Sequence, residues 1–413
     1  MEIAARDVMH RCGAIVLEKL LAHEDSCALD NVCSCGGFFH DKKRVPKTLR
    51  TSLGDIRLSR TYQRCSDCGA WRMPVDIVLD VVKTGFSPSL RRMMAKTGSM
   101  ICFDKTRDLI KDLAGIQVTD KEVERVAERI GADIQAKEQA LTDQVMKGHN
   151  PECTDAPKTL YIAADGTGVP VLKKETEGRK GKGEDGIART REVKLGAIFT
   201  QTGLDKEGKP VRDEASTTYV GQIQDCASFG ERLFAEAKRR GLMLAAVLVV
   251  LGDGAAWIWN LASQYYPRAI QIVDFYHAKE HLAALSKILF PSEKEKQEKW
   301  LAPLGDRLWV GDIEAILGKL RRLAYSGKKG DAIRKEINYF DTNKERMRYF
   351  ELRQRGLFIG SGVVEAGCKA IIGQRLKQSG MHWSVKGANS IIALRCCVES
   401  GYFEDYWENR RAA

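Results

Sequence analysis

The chain has 413 residues, 29% of them charged and 44% hydrophobic, and a formal net charge of +11. This length exceeds the size at which one hydrophobic core is usual, so two or three domains are predicted. The excess of Lys and Arg favours a polyanionic partner, of which nucleic acid is the commonest. No apolar run approaches the roughly 20 residues that span a bilayer, and acids interrupt the N-terminal stretch where a signal peptide is hydrophobic. These features argue against membrane and secreted proteins and predict a cytoplasmic, nucleoid-associated one.

The N-terminal part divides into three segments. Apolar residues at roughly helical spacing predict an amphipathic N-terminal helix within residues 1–26; they are Val8, Cys12, Ile15, Val16 and Leu20. Residues 27–85 combine short β-prone pieces, Gly pairs and clustered cysteines, and residues 86–157 return to helical periodicity. We therefore predict a helix, a zinc-ribbon-like module that binds DNA and a helical region, in that order.

The helical region contains a candidate helix-turn-helix. In "TDKEVERVAERI", Thr119 and Glu122 have the spacing of a capping box, which predicts a helix start. The preceding "DKTRDLIKDLAGIQVT" reads as a first helix with Gly115 at the turn. Because any two short helices joined by a Gly share this pattern, the motif alone does not decide between DNA binding and simple packing.

Residues 158–413 have an α/β pattern. "TLYIAADGTGVPVL", "EVKLGAIFTQT" and "STTYVGQI" predict three successive strands. A helix, the apolar strand "LAAVLVVLGD", a second helix and the strand "AIQIVDF" follow, and uninterrupted apolar runs indicate strands buried on both faces. This order, β-β-β-α-β-α-β, is typical of the ribonuclease H-like mixed sheet. Residues from about 277 to 355 are charged and predict a helical insertion.

Three acids occupy notable places in this pattern. Asp165 lies near the end of the first strand, Asp253 follows the fourth, and Glu365 lies near the start of a late helix in "GSGVVEAGCKAII". Each has an ordinary interpretation, because Asp-Gly pairs form turns and acids cap helices. In a ribonuclease H-like sheet, however, the first and fourth strands are neighbours, so the acids would converge. Carboxylates suit Mg²⁺, and two such ions can promote phosphodiester transfer.

The motifs together resemble one known family. "YIAADGTGVPV", "VLGDGAAWIWNLA", "QIVDFYHAKEHL" and "GSGVVEAGCKAIIGQRLKQSGMHWS" are similar to insertion-sequence transposases of the ISKra type, which are related to the Mutator-like elements. The resemblance implies a ribonuclease H-like fold whose Asp-Asp-Glu (DDE) triad falls on Asp165, Asp253 and Glu365. It also implies Mg²⁺ or Mn²⁺ at these residues, a helical insertion before the Glu, and a homodimer or larger assembly.

Two further residues match the related Mutator group. That group carries a Cys/Asp-x-x-His element after the second catalytic Asp, and Asp274 with His277 fits it. A secondary role at the metal site or on DNA phosphate is one interpretation. In the other, Asp274 caps a helix beginning near Ala278 and His277 lies in its first turn. The sequence does not decide between them.

Paired cysteines predict a zinc site. "NVCSCGG" and "RCSDCGA" supply Cys33, Cys35, Cys65 and Cys68, and two such knuckles give tetrahedral thiolate coordination. Cys27 is an alternative ligand. The remaining cysteines are expected to be small buried hydrophobes; they are Cys12, Cys102, Cys153, Cys226, Cys368, Cys396 and Cys397.

A basic stretch lies between the knuckles. Its Lys and Arg side chains are expected to contact DNA phosphates, which fix register without reading sequence, although a solvated basic face looks the same. The predicted DNA-binding residues are Lys42, Lys43, Arg44, Lys47, Arg50, Arg57, Arg60 and Arg64. The basic loop from Arg179 to Lys182 is a second candidate.

These features predict a DNA transposase that binds the terminal inverted repeats of its own insertion sequence and acts on double-stranded element and target DNA. Phosphodiester hydrolysis at the element end would free a 3′ hydroxyl for strand transfer. Two alternatives remain from the sequence. One is a DNA-binding repressor that has lost catalysis, and the other is a structure-specific, Mg²⁺-dependent nuclease.

Overall fold

The computed structural model describes residues 1–22, 29–153, 156–181, 185–323 and 325–410. The chain forms two compact units, one of Met1–Ile134 with Gly401–Ala413 and one of Gln135–Ser400. We call them the N-terminal unit and the central unit. Within the described residues, no helix combines the length and the apolar character that crossing a bilayer requires.

The helices and strands follow one another without long irregular segments in most of the chain. In order they are α1 (Glu2–Leu21), β1 (Phe39–Thr51), β2 (Gly54–Cys65), β3 (Trp71–Arg72), α2 (Pro74–Val78), α3 (Pro88–Met100), α4 (Phe103–Ala114), α5 (Asp120–Met146), β4 (Thr159–Pro170), β5 (Thr190–Leu204), β6 (Pro210–Arg212), β7 (Thr218–Gln222), α6 (Cys226–Arg239), β8 (Val247–Gly252), α7 (Ala256–Tyr265), β9 (Ile270–Val273), α8 (Phe275–Leu289), α9 (Lys294–Trp309), α10 (Ile313–Arg321), α11 (Gly327–Asn343), α12 (Tyr349–Gln354), α13 (Gly362–Gly367), α14 (Gln374–Leu376), α15 (Val385–Glu399) and α16 (Phe403–Asn409).

A long antiparallel hairpin organises the N-terminal unit. Strands β1 and β2 pair along their whole length, from Phe39 opposite Cys65 to Thr51 opposite Gly54, and β3 adds a short third strand. Gly54 has φ +105°, a conformation that L side chains rarely adopt, so the tight turn favours glycine there. Because side chains alternate across a strand, one face of the hairpin is buried and the other is open.

Helix α1 packs on the buried face of the hairpin, with a different face from the one predicted. Leu49, Ile56 and Leu58 form a core against which Leu17 and Leu21 of α1 pack. The apolar positions that predict the helix lie on its other side and are exposed; they are Val8, Cys12, Ile15, Val16 and Leu20. The helix is therefore apolar on both sides.

The capping box at the start of α5 is confirmed. The Thr119 N–H donates to Glu122 Oε2 at 2.8 Å, and the Glu122 N–H donates to Thr119 Oγ1 at 3.2 Å. Helix α4 ends at Gly115, whose φ of +68° stops the helix in a left-handed conformation. These two signals define the turn between α4 and α5.

A mixed sheet forms the core of the central unit, which confirms the predicted α/β class. The strand order is β6-β5-β4-β8-β9, and β7 pairs with β5. The pairs β4–β5 and β5–β7 are antiparallel, whereas β4–β8 and β8–β9 are parallel. The short strand β6 was not predicted; it pairs with the distal end of the long strand β5. Helices α8 to α12 lie between the last strand and α13.

Candidate active site and metal centre

Asp165 and Asp253 lie at the same level of neighbouring parallel strands. In the β4–β8 pair, Ala163 is opposite Leu251, an offset of 251 − 163 = 88 residues. The two acids are separated by the same 253 − 165 = 88 residues. Asp253, directly after β8, therefore continues the row of Asp165. Neighbouring strands are about 4.8 Å apart, so this register brings the two acids to the same level of adjacent strands, and the charge of Asp253 acts on Asp165.

Asp274 extends the same row onto the third parallel strand. Val273 lies opposite Gly252, so Asp274 follows β9 as Asp253 follows β8. Its side chain is fully buried, accepts the His277 N–H at 2.8 Å and also accepts the Ser361 N–H. Asp274 thus fixes the first turn of α8 to the chain segment that leads into α13.

The helix-cap interpretation of Asp274 is confirmed, with one change. Asp274 is the N-cap of α8, which begins at Phe275 and not near Ala278. The cap leaves neither carboxylate oxygen of Asp274 without a donor, since each accepts a backbone N–H. Asp274 therefore acts by holding the backbone of α8 and of the segment before α13 in place.

Glu365 lies next to His277 in the first turn of α8. The His277 Nε2 atom lies 3.7 Å from Glu365 Oε1, and its Nδ1 atom lies 3.3 Å from Glu280 Oε2. The Ser361 hydroxyl donates to Glu365 Oε1 at 3.2 Å. About one third of the Glu365 and His277 side chains is exposed, so both face solvent as well as each other.

Cys368 lies next to Asp165. The buried Cys368 thiol bonds to the Asp165 carboxylate and also experiences the charge of Glu365. Burial raises the pKa of Asp165 and the charge of Asp253 raises it further, whereas the Gly166 N–H, the thiol and His277 oppose that rise. The Cys368–Gly373 segment is a π-helical turn in the helix that carries Glu365, a deviation that is frequent at functional sites. The charge of Asp253 thus acts on Asp165, and the charges of Asp165 and Glu365 act on Cys368.

The three acids do not form an assembled ligand set. Within the part of the chain that the structure describes, only one group of three or more His, Cys, Asp or Glu residues has its ligand atoms all within 4.8 Å of one another, and that group is Cys33, Cys35, Cys65 and Cys68. Carboxylate oxygens are the ligands that hard divalent cations prefer. The acids therefore supply the chemistry for such a cation, while shared coordination requires their side chains to move closer.

The four cysteines are positioned to hold a metal ion such as zinc. The Sγ atoms of Cys33 and Cys68 are 3.6 Å apart, as are those of Cys35 and Cys65. Four thiolates about 2.3 Å from a tetrahedral Zn²⁺ lie roughly 3.8 Å from one another, so the separations match. The Cys68 N–H lowers the pKa of Cys65 to about 7, with a smaller contribution from the Asp67 N–H. Such donors stabilise thiolate, which is the ligand form.

Cys27 lies outside the described residues, so its role as an alternative ligand stays a prediction. Among the other cysteines, Cys368, Cys396 and Cys397 are buried as expected. Cys12 is exposed, contrary to the prediction, because the side of α1 that carries it does not face the hairpin. The remaining three, Cys102, Cys153 and Cys226, are only partly buried.

A family model described as an uncharacterised protein family, UPF0236, matches residues 2–410. The chain belongs to this family. The "UPF0236 protein in vanSb 3′ region" of Streptococcus gallolyticus is 22% identical over 349 residues, covering 82% of this chain and 69% of that protein. A UPF0236 protein of Caldanaerobacter subterraneus is 24% identical over 390 residues, covering 87% and 68%. A Drosophila P element transposase strand transfer complex aligns with a TM-score of only 0.28 at 10% identity, covering 80% of this chain and 83% of that one. A likeness this low establishes neither fold nor function.

The hairpin of this UPF0236 chain separates the predicted DNA-binding residues into two groups. Lys42, Lys43, Arg44, Arg57 and Arg64 are exposed. Arg44 and Arg57 lie on the open face, where Arg44 donates to the Ser59 and Thr61 side chains.

Lys47 and Arg60 are not available as predicted. Both point to the buried face and bond to Asp76, the Lys47 Nζ atom at 3.2 Å and the Arg60 Nη1 atom at 2.6 Å. Arg50 is partly occupied as well, with Glu122 Oε2 at 3.5 Å. For Lys47 and Arg60 the reason is strand alternation, because the register puts both in rows with Leu49, Ile56 and Leu58 on the buried face. Lys182, in the second basic loop, lies outside the described residues.

Two residues of the site region were not predicted. The Tyr339 hydroxyl, on α11, donates to the Asp253 carbonyl at 2.9 Å, and its ring stacks on His281 with the centroids 3.6 Å apart. The Lys377 ammonium bonds to the hydroxyl of Thr167, two residues after Asp165. Lys377 lies in the motif "GSGVVEAGCKAIIGQRLKQSGMHWS" that contributes to the family resemblance. Nothing in the sequence pattern relates Tyr339 to Asp253, 86 residues away.

Proposed function

We propose that this UPF0236 chain is a DDE-type DNA transposase with Asp165, Asp253 and Glu365 as its catalytic acids. One observation carries the proposal: the spacing of the two aspartates equals the register offset of their parallel strands, so distant acids share one row. Two observations support Glu365 as the third acid: Cys368, which bonds to Asp165, also experiences the charge of Glu365, and His277 Nε2 lies 3.7 Å from Glu365 Oε1. An arrangement that served only helix capping would not need the third carboxylate.

The sheet supports the proposal. Counting β4, β5, β7, β8 and β9 as five strands, their spatial order is three-two-one-four-five, with the first three antiparallel and the last two parallel to the first. This is the arrangement expected of a ribonuclease H-like fold. Asp165 does not lie near the end of the first strand, as expected from the sequence, but in the middle of β4 (Thr159–Pro170), because β5 continues to pair with β4 beyond it. It is level with the end of β8, which Asp253 directly follows.

The chemistry of the residues fits a divalent cation. Mg²⁺ or Mn²⁺ held by Asp165, Asp253 and Glu365 would supply activation of the attacking oxygen and stabilisation of the leaving one. Burial is the main cause of the raised pKa of Asp165, and the charge of Asp253 adds to it; a bound cation would favour the ionised form of both carboxylates. His277 orients Glu365, and exposed Lys377 can contact DNA phosphate beside Thr167.

The reaction consists of one phosphodiester hydrolysis followed by one transesterification. Water attacks the phosphorus at the element end, and the bond to the 3′ oxygen breaks, which leaves a 3′ hydroxyl and a 5′ phosphate. That hydroxyl then attacks target DNA and releases a new 3′ hydroxyl there. No covalent bond to the protein is needed. The zinc-ribbon-like module and the exposed basic residues Arg44 and Arg57 would hold the terminal repeats. Because both ends of the element must be cut together, the proposal implies at least two copies of the chain.

The names of the relatives are consistent with mobile DNA. One Caldanaerobacter subterraneus protein carries eleven locus designations under a single name, and two further names carry four and two. Many loci under one protein name in one genome are expected when a gene lies within an element that inserts new copies of itself.

The decisive experiment uses the purified chain, Mg²⁺ and DNA that carries the flanks of its own gene. We expect nicking at the element ends followed by joining to target DNA. Asp253→Asn should abolish both reactions and keep DNA binding, since Asn preserves the shape and removes the charge. The matched control is Asp205→Asn. Asp205 also accepts backbone N–H groups in a turn, but it directly follows β5, at the end of that strand that pairs with the start of β4.

Other outcomes would replace the proposal. Cutting that follows DNA structure and ignores the element ends would identify a nuclease. Tight binding without any cleavage in Mg²⁺ or Mn²⁺ would identify a repressor. Cleavage retained in Asp253→Asn would remove that residue from the site.

A further inference from the structure

Helix α1 has a second apolar face that nothing in the described N-terminal unit covers. The relative exposures are 58% for Val8, 71% for Met9, 54% for Ile15, 55% for Val16 and 65% for Leu20. A helix that is apolar on both sides is normally buried on both. An exposed contiguous apolar stripe of this kind marks a protein interaction site.

The helix is held in place independently of any partner. On its opposite side, Ala14, Leu17 and Leu21 pack against the hairpin core, and Gly13 allows Leu53 to approach closely. The Glu18 carboxylate also accepts the Arg57 N–H at 2.6 Å. Because packing fixes the helix, its exposed stripe is preformed and binding does not have to order it.

The spacing of the exposed stripe is that of a coiled-coil seam. Ala5, Val8, Cys12, Ile15 and Lys19 follow one another at intervals of three, four, three and four residues, which are the alternating a and d positions of a heptad repeat. All five are exposed. Leu17, which contacts the hairpin, falls at f, the position farthest from the seam. The two faces of the helix therefore serve different contacts.

We propose that the exposed face of α1 binds the same face of a second copy of this chain in an antiparallel pair. In that pairing the position numbers of facing a and d residues sum to 27, so Cys12 of one copy lies beside Ile15 of the other. Val8 of one copy then lies beside Lys19 of the other. Met9 and Val16, at e positions, extend the apolar contact on one flank.

Charge complementarity selects this orientation. Arg11 and Glu18 lie at g positions, and antiparallel helices bring each g residue beside a g residue of the partner. Arg11 of each copy thus faces Glu18 of the other, and since Glu18 Oε1 accepts the Arg57 N–H within its own chain, the ion pair is made through Oε2, once on each side of the pair. A parallel pair would place Lys19 against Lys19 and Arg11 against the apolar Val16. Antiparallel pairing instead lets the Lys19 stem cover Val8 while its ammonium reaches water.

Cysteine cross-linking tests the orientation on the full chain. Under mild oxidation, Ile15→Cys should form a covalent dimer through Cys12 of one copy and the introduced thiol of the other. Two controls should not: wild type, because two Cys12 residues are offset along the antiparallel axis, and Cys12→Ser/Ile15→Cys, which has the introduced thiol only. A wild-type dimer joined through Cys12, removed by Cys12→Ser, would overturn the antiparallel arrangement.

Sedimentation of the full chain without DNA tests the interface itself. We expect a dimer, and Val8→Asp/Ile15→Asp should weaken it at least tenfold, since both positions lie on the seam. Leu113→Asp/Ile77→Asp is the matched control, because both are exposed apolar residues of the same unit outside α1. Zinc content and the unfolding midpoint report that both variants fold.

Two results would overturn the interface: a wild-type chain that stays monomeric at all concentrations, or a Val8→Asp/Ile15→Asp variant that dimerises as well as wild type. The measurement uses no DNA and no catalysis. Evidence against the α1 interface would therefore not bear on the proposed transposase activity, and evidence against that activity would not bear on the interface.

Discussion

The two candidate metal sites differ in how completely they are assembled. The four cysteines come from 36 consecutive residues, 33 to 68, and their sulfur atoms already have the spacing of a tetrahedral site. The three acids span 201 residues, 165 to 365, and converge without reaching common coordination. A closed thiolate site stabilises a fold, whereas an open carboxylate site leaves positions for substrate. We therefore assign a structural role to the first site and propose a catalytic role for the second.

The largest expected effect is loss of the cysteine site. Cys65→Ser removes a ligand whose thiolate is favoured by neighbouring backbone N–H groups. Structural Zn²⁺ contributes on the order of 10 kcal/mol to small zinc domains, so we expect one equivalent of zinc to be lost and the hairpin to unfold. Metal analysis and amide hydrogen exchange measure both.

The exposed Cys12→Ser variant is the control for Cys65→Ser, because it removes a thiol outside the metal site. It should keep its zinc. A Cys65→Ser protein with full zinc content and an exchange-protected hairpin would contradict the structural role, and the contrast between the two sites would disappear.

The next effect concerns Glu365. Glu365→Gln should lower cleavage by roughly a thousandfold, the loss of about 4 kcal/mol of transition-state stabilisation expected when a metal-holding charge is removed. Glu280→Gln is a closely matched control, since Glu280 and Glu365 contact the two nitrogens of the same His277 ring. Only the Glu365 change should raise the Mg²⁺ concentration that half-saturates cleavage. Equal losses in both variants would mean that the carboxylates act only through His277.

Much of this difference between the sites could be anticipated from sequence. The cysteine pairs are close in the chain, and their spacing alone specifies a metal knuckle. The strand order after Thr159 follows from apolar runs and helix periodicity. The prediction that Asp165 and Asp253 lie close together rests on the assumption that their strands are parallel neighbours, and β4 and β8 are such neighbours.

Other features depend on contacts that a pattern does not encode. Lys47 and Arg60 look like their basic neighbours, and only the register of β1 on β2 shows that both turn toward Asp76. The exposed side of α1 is apolar enough to predict a core face. Its true core face is revealed only by the position of the hairpin.

The basic residues of the hairpin give the third prediction. Arg57→Ala, on the open face, should lower the salt dependence of DNA binding by about one unit of log K against log salt, the change expected for one phosphate contact. Lys47→Met should leave that slope unchanged and lower the stability of the N-terminal unit, because it leaves the buried Asp76 with Arg60 alone. Binding titrations at several salt concentrations and urea unfolding separate the two. A slope that changes with Lys47 and not with Arg57 would reverse the assignment of the faces.

The smallest expected effect tests whether the helical insertion positions the open site. Tyr339→Phe removes one hydrogen bond, to the Asp253 carbonyl, and keeps the ring that stacks on His281 and covers Gly254. Burial raises the pKa of Tyr339, so its hydroxyl remains a donor at any working pH. One such bond is worth about 1 kcal/mol, which corresponds to roughly fivefold in rate if Asp253 shifts. We expect that decrease in kcat, with DNA affinity unchanged and a raised Mg²⁺ requirement. Tyr325→Phe, on a partly exposed tyrosine just before α11, is the control. If Tyr339→Phe lowers only the unfolding midpoint, the contact holds the insertion to the sheet without positioning Asp253.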